Sequence, residues 1–327
     1  MDIESSIERW PLKTPFRISG HTLTESEVLL VTVRQGRFIG RGEATAPYYK
    51  RGTLADMQEE IARATAGRAD LRREDLPFLL PEGGARNALD CALWDLEAQR
   101  TGHPVWELAG LDPPQPLPTT YTIGAGDPMA MAATARQFRD ATHIKLKLLG
   151  DEDDAARIRA VRLARPDVWL MVDANQGFTL STLRVMLPSL VEAGVSLIEQ
   201  PLPVGRESEL EGLRSPIPIA ADESVQGLDD LAPLAGRFDV INIKLDKCGG
   251  LTDALAMVKE SRALGFKLMV GNMMGTSLSL APAYLVGQLC DFVDLDGALF
   301  VLADREPPVT YSGGLVTCPE GLWGHPR

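Results

Sequence analysis

The stretch Thr142-His143-Ile144-Lys145-Leu146-Lys147-Leu148 alternates between two kinds of side chain. Successive residues of an extended strand face opposite ways. Ile144, Leu146 and Leu148 therefore share one face, and Lys145 and Lys147 share the other. The pattern recurs downstream. Leu170 and Val172 oppose Asp173 and Asn175; Ile241, Ile243 and Leu245 oppose Asn242 and Lys244; Val293 and Leu295 oppose Asp294 and Asp296. Each of these strands has an aliphatic face suited to covering helices. The opposite face carries polar groups that gather late in the strand.

Eight strand candidates follow one another: 119–124, 142–148, 169–175, 196–202, 218–224, 239–245, 266–272 and 292–297. Their starts lie 21 to 27 residues apart, about the length of one βα unit. An open doubly wound sheet would normally carry a glycine-rich phosphate turn after its first strand, and no GxGxxG or GxxxxGK[ST] sequence occurs. The expected fold is therefore α/β, a closed parallel barrel of the TIM type. In such barrels the C-terminal strand ends form the active-site face. The inward polar residues then become the candidate site.

Asp112-Pro-Pro-Gln-Pro-Leu-Pro118 cannot continue a helix and reads as an extended linker. Before it, Val28–Val33 and Phe38–Ala44 read as two strands around a turn at 34–37. In Ala85–Arg100, Leu89, Ala92, Leu93 and Leu96 recur at helical spacing, with Gly102 as the stop. The expected organisation is an α+β capping domain over 1–112, joined by a C-terminal segment, 298–327, that returns to it. A catalytic barrel occupies 113–297.

The chain has 327 residues, 45% hydrophobic, with a formal charge of −12 and no basic tract. Nucleic acid and anionic membranes are poor partners for such a surface. The uncharged run from Gly271 to Cys290 contains Asn272, Thr276, Ser277, Ser279, Pro282 and Gln288, and reads as barrel interior and connecting helix rather than a membrane span. The N-terminus lacks the basic start and apolar run of a signal peptide. The four cysteines (91, 248, 290 and 318) form no CxxC pair. A cytoplasmic location is expected. Only four histidines occur, so acid–base or metal chemistry must rest mainly on carboxylates and lysines.

Asp173, Glu199 and Asp222 fall late on strands three, four and five. Three carboxylates on adjacent strand ends make a hard-oxygen site suited to Mg²⁺. Lys147 on strand two and Lys244 on strand six, four strands apart, would stand on opposite walls. That arrangement suits removing a proton from a carbon acid and returning one to either face. The plainer reading is that the lysines neutralise the carboxylates, since charges inside a barrel need partners. Cys248-Gly249-Gly250 reads as a strand-to-helix turn, and Met273-Met274 as packing. Tyr48-Tyr49 lies in a loop that could close over the site.

Lys145-Leu-Lys147, Val172-Asp173-Ala174-Asn175, Ile198-Glu199-Gln200-Pro201, Ala221-Asp222-Glu223-Ser224 and Asn242-Ile243-Lys244-Leu245 resemble, in order and spacing, the motif set of the enolase superfamily, muconate-lactonizing enzyme subgroup. The resemblance implies a modified TIM barrel, (β/α)7β, with a capping domain. It also implies Mg²⁺-assisted abstraction of a proton α to a carboxylate, with an enediolate stabilised by the metal. Carried over, Asp173, Glu199 and Asp222 would bind Mg²⁺, and Lys147 and Lys244 would be the acid/base pair. Lys145 would tune Lys147 and touch the substrate carboxylate. Glu223 faces away from Asp222 by strand parity and ranks below it as a ligand.

Asp294-Leu-Asp296 on strand eight resembles the Asp-x-Asp motif of dipeptide epimerases, which receives a substrate's α-ammonium. Two inward acids repel each other, and a cationic ligand group would relieve that. The stretches 81–94 and 244–251 look closest to L-Ala-D/L-Glu epimerases of murein-peptide metabolism. The expected substrate is a dipeptide such as L-Ala-D/L-Glu, epimerised at the Cα of its C-terminal residue. A homo-oligomer is compatible with this reading. Such epimerases commonly carry an arginine in the cap loop where Ser19-Gly20-His21 stands here. Arg17, or Lys50 or Arg51, would have to take its place, or the second residue is not Glu. The rivals are an o-succinylbenzoate synthase or N-acylamino-acid racemase of the same subgroup, and a non-catalytic metal-dependent binder.

Overall fold

The computed structural model describes residues 1–18, 21–46 and 52–326; for residues 17, 18 and 21 it describes the backbone alone. Eight parallel strands form one sheet: Thr120–Ile123, His143–Lys147, Trp169–Asp173, Val195–Glu199, Ile219–Ala221, Val240–Ile243, Lys267–Gly271 and Phe292–Asp294, here called barrel strands one to eight. All eight expected strands are present, in sequence order across the sheet. The architecture is a parallel barrel of the TIM type with a capping domain.

All eight expected strands overrun the observed ones, by one to three residues at the C-terminal end. The residues in excess are those that leave the ladder to build the site. Asp222 and Lys244 each lie one residue past their strand, and Asp296 lies two past.

Side-chain parity divides the barrel as expected. Ile144, Leu146, Leu170, Val172, Ile198, Ile241, Ile243, Val270 and Val293 join the core under the outer helices. Inside, Met171, Leu197, Ala220, Val240 and Met269 form a separate apolar plug, with Trp169 and Phe292 against it. The Trp169 and Phe292 rings stack with centroids 5.7 Å apart. The plug fills the lower barrel and leaves the polar residues to its C-terminal end.

The helices between strands include Pro128–Gln137, Asp154–Ala164, Leu180–Glu192, Leu251–Ala263 and Ser277–Gly287. The crossover between strands four and five departs from the pattern. It contains only a 3-10 turn, Glu207–Leu210, because Pro201, Pro203, Pro216 and Pro218 crowd the segment.

Among the described residues no backbone ladder joins strand one to strand eight. Side chains close the seam instead. Thr120 Oγ1 donates to Asp294 Oδ1, Thr122 N donates to Asp296 Oδ2 at 2.6 Å, and Leu295 N donates to Thr119 Oγ1 at 2.9 Å.

The N-terminal part is an antiparallel sheet of Asp2–Ile18, His21–Gln35 and Phe38–Ala44. Its long first strand is absent from the sequence-based expectation. The pairing runs from Asp2 with Arg34 to Ile18 with His21, with a register shift between Pro11 and Phe16. Leu29, Val31, Val33 and Ala44 pack with Ala88, Leu89, Ala92 and Leu96 of the helix Gly84–Thr101. That helix ends on Gly102 at φ 77, whose N–H bonds Ala98 O. Gly42 lets the helix lie directly on the sheet: a Cβ there would come within 2.7 Å of Ala92 N.

The C-terminal segment returns to this sheet and helix. Trp323 Nε1 donates to the carbonyls of Arg41 and Cys91, and Gly324 N donates to Asp95. Arg305 bonds Glu43 and Glu8, and its guanidinium lies over Trp10. No helix is long and apolar enough to cross a membrane among the described residues.

Candidate active site

A cavity of about 660 Å³ opens between the cap hairpin and the C-terminal end of the barrel. Lys145, Lys147, Asp222, Lys244, Asp294 and Asp296 line its barrel wall, and Phe16, Leu23, Ser26 and Ala46 its cap wall.

Asp173, Glu199 and Asp222 are fully buried and can each offer an oxygen, all within 4.8 Å of one another. The ladder sets two of them side by side, with Asp173 opposite Glu199 and Lys147 opposite Asp173. Three buried hard-oxygen donors converging on one point fit a divalent cation such as Mg²⁺. Lysines stand against all three carboxyl groups. Lys145 Nζ lies 2.6 Å from Glu199, 2.8 Å from Asp294 and 3.1 Å from Asp173. Lys147 Nζ is 2.6 Å from Asp173, and Lys244 Nζ is 2.6 Å from Asp222.

Electrostatics follow from this arrangement. Burial would discharge Lys145, but Asp294, Glu199 and Asp173 outweigh it and hold its pKa well above the ordinary value. Burial pushes Asp222 up, and Lys244, Lys247 and Lys145 overcome this to hold it well below the carboxylate range. Glu199 goes the other way. Burial and the neighbouring Asp173 carboxylate push it up to about 8 against the pull of Lys145.

Asp294 and Asp296 are both buried, and the chain itself already supplies partners for them. Asp294 is neutralised by Lys145, and Asp296 is held by Thr122 N. Even so, burial and then Asp294 push Asp296 up to about 7, so a cation arriving there would be favoured.

Glu223 is placed differently from the parity argument. Strand five ends at Ala221, and Val225 N turns back onto Asp222 O. Alternation stops there. Glu223 Oε1 accepts from Asn175 Nδ2 at 3.3 Å, at the edge of the site. It remains outside the converging triad.

Three further residues position the site, two of them, Gln200 and Asn242, standing inside the motifs quoted above without a role read for them. Gln200, at φ 35, accepts from Asp222 N and Ser224 N and donates to Leu202 O, which fixes the backbone under Asp222. Asn242 Nδ2 donates to Glu199 at 2.9 Å. Gly271 on strand seven leaves room for the Lys244 side chain, since a Cβ there would stand 2.8 Å from Lys244 Cε.

Cys248-Gly249-Gly250 does not follow strand six directly, as expected, but joins the helical turn Leu245–Cys248 to the helix Leu251–Ala263. Both glycines have positive φ, and Cβ atoms there would collide with Arg86 and Asp90 of the cap helix. The turn is thus a seat for the cap. The four cysteines are free thiols. The Arg17 backbone pairs with Thr22 near the hairpin tip, but its side chain lies outside the described residues, as do Ser19, Gly20, Tyr48, Tyr49, Lys50 and Arg51.

Residues 2–110 match the family model of the mandelate racemase/muconate lactonizing enzyme N-terminal domain, and residues 130–322 match that of the enolase C-terminal domain-like family. The chain is 39% identical over 313 residues to the L-Ala-D/L-Glu epimerase of Escherichia coli K12, covering 94% of this chain and 96% of that one. Among solved structures it superposes with a TM-score of 0.95 on an enolase family member from Agrobacterium tumefaciens with homology to dipeptide epimerases, solved with sodium and L-Ala-L-Glu. The two are 43% identical, over 98% of this chain and 99% of that one. A dipeptide epimerase from Methylococcus capsulatus, solved with Mg and L-Arg-D-Lys, superposes with a TM-score of 0.91 at 32% identity, over 99% of this chain and 98% of that one.

Proposed function

The chain belongs to the mandelate racemase/muconate lactonizing enzyme family of the enolase superfamily, and on that premise we propose that it is an Mg²⁺-dependent dipeptide epimerase, an isomerase acting at the Cα of the C-terminal residue of a dipeptide such as L-Ala-D/L-Glu. The observation that carries this reading is the pair Lys147 and Lys244, each bonded to a different member of the carboxylate triad from strands four apart.

Asp173, Glu199 and Asp222 would hold the ion. Bound there, Mg²⁺ supplies a Lewis acid for the substrate carboxylate and lowers the cost of charge developing on it. One lysine, as free amine, takes the Cα proton from one face. The other, as ammonium, delivers a proton to the opposite face, and the two exchange roles when the other epimer reacts. Lys145, between the triad and Asp294, orients the carboxylate end. Asp296, with Asp294, takes the substrate's α-ammonium in a buried site where a charge-assisted bond is strong.

Arg17 is our candidate for the side chain of the second residue, because Phe16, Thr22 and Thr24 around it line the cavity. We assign 1–112 with 298–327 to the cap and 113–297 to the barrel. We place the reaction in the cytoplasm, where four free thiols would stay reduced. Every residue in this scheme comes from one chain, so the chemistry needs no second copy.

The test is incubation with Mg²⁺ in D₂O of L-Ala-L-Glu, L-Ala-D-Glu and a wider dipeptide panel, read by proton NMR. Loss of the α-proton signal of the C-terminal residue, with appearance of the other epimer, is expected. No exchange in any dipeptide overturns the reading.

A further inference from the structure

Asp222 is held on both carboxylate oxygens, and the two grips differ. Lys244 Nζ reaches Oδ2 at 2.6 Å and lines the cavity. Lys247 Nζ reaches Oδ1 at 2.7 Å, the carbonyl of Asp222 at 2.7 Å and the carbonyl of Asn242 at 3.0 Å. Three acceptors use all three N–H bonds of an ammonium. The Lys247 side chain is 2% exposed and forms no part of the cavity wall. Its backbone lies in the helical turn Leu245–Cys248, which Asp246 anchors to the cap through Thr45 N at 2.9 Å and Asn87 Nδ2 at 3.1 Å. Lys247 is thus fixed at both ends, whereas Lys244 is the acid/base group that must let go for chemistry to occur.

We propose that Lys247 is a positioning residue that commits Oδ1 of Asp222, leaves only Oδ2 for a cation, and so makes the triad select Mg²⁺ over Ca²⁺. Mg²⁺ requires near-octahedral geometry at short distances, which single carboxylate oxygens satisfy. Ca²⁺ accepts six to eight oxygens and readily takes both from one carboxylate. An Asp222 freed from Lys247 could offer both. The inference rests on the reading of Asp222 as a metal ligand.

Removing an ammonium beside the site strengthens the binding of any divalent ion, so an absolute affinity is not diagnostic. The ratio of the Mg²⁺ to the Ca²⁺ affinity is, because the charge effect is common to both. Calorimetric titration of the full chain with MgCl₂ and with CaCl₂ compares the wild type with Lys247→Met, Lys247→Arg and Asp222→Asn. Lys247→Met is expected to lower the preference for Mg²⁺ by about tenfold, the scale of losing a group that orients a ligand. Lys247→Arg, which keeps the donors, should restore most of it. An unchanged ratio in Lys247→Met overturns the inference and leaves the proposed function intact. Mg²⁺ binding that is absent from the wild type, or indifferent to Asp222→Asn, overturns both. If Lys247→Met does not fold, a crystal structure of the wild type with Ca²⁺ decides. Asp222 bound through one oxygen, with Oδ1 still on Lys247, supports the inference; Asp222 bound through both overturns it.

Discussion

Lys147 and Lys244 each reach 2.6 Å to a carboxylate of the buried triad, Lys147 to Asp173 and Lys244 to Asp222. They come from barrel strands two and six, so the substrate carbon would lie between two amines that face each other across the metal ligands. Changing either lysine to alanine is expected to lower epimerisation by about 10²- to 10⁴-fold, the usual worth of a positioned acid or base. Each variant should retain isotope exchange for one epimer only. NMR in D₂O with each separate epimer checks this, and full epimerisation by either variant would contradict the two-base layout.

Glu199, pushed up to about 8 by burial and by Asp173, carries a proton near neutral pH when no cation is bound. A metal ligand must lose that proton. Mg²⁺ binding at pH 7 should therefore release close to one proton per ion, and affinity should rise with pH through about pH 8. Calorimetry in buffers of different ionisation enthalpy measures the release directly. Glu199→Gln should abolish it along with tight binding.

Asp296→Asn separates the dipeptide reading from an N-acylamino-acid racemase. Losing a buried charge-assisted bond to an ammonium costs on the order of 1.5–3 kcal/mol, so KM for dipeptides should rise about tenfold or more. The variant should no longer prefer a free α-amine over its N-acetylated form. An unchanged KM for dipeptides would favour the racemase.

Asp90, at the seat of the cap on the 248–250 turn, is pushed by burial from an ordinary 3.8 to about 7, although it accepts bonds from Thr252. A carboxyl whose folded pKa lies above its unfolded one costs no stability while protonated in both states. The cost grows as pH rises from the unfolded value to the folded one, and is constant beyond. Asp90→Asn should therefore gain on the wild type between about pH 4 and about pH 7, by up to about 4 kcal/mol. Urea titrations across that range test the slope; a pH-independent difference would be the contrary result.

Gly42→Ala tests the packing of cap helix on cap sheet. The added methyl would collide with the Ala88 carbonyl and lie 2.7 Å from Ala92 N, helix backbone that cannot move aside as a side chain could. A loss of about 1–3 kcal/mol, or more, is expected by thermal or urea unfolding.

The barrel was readable because its inward charges break the hydrophobic runs at a period of two, as Lys145 and Lys147 do between Ile144 and Leu148. The triad and the two lysines followed from that same parity. Parity failed where the ladder stops. Glu223 lies beyond Ala221 in a turn, where alternation no longer fixes direction. The first cap strand was missed because Glu4-Ser-Ser-Ile-Glu-Arg-Trp-Pro11 mixes charge, proline and half-exposed apolar residues on a ribbon projecting over the barrel. Lys247, Gln200 and Gly271 act through geometry between segments far apart in the chain, and no local spacing announces such a contact.

The side-chain seam between strands one and eight ties the durability of the fold to its occupant. A ladder would hold these strands whether or not anything was bound; here two of the three bonds described at the joint are made by Asp294 and Asp296, the same groups proposed to receive the substrate's ammonium. A dipeptide seated there would rivet the barrel shut, and resistance to unfolding would climb with the logarithm of its concentration.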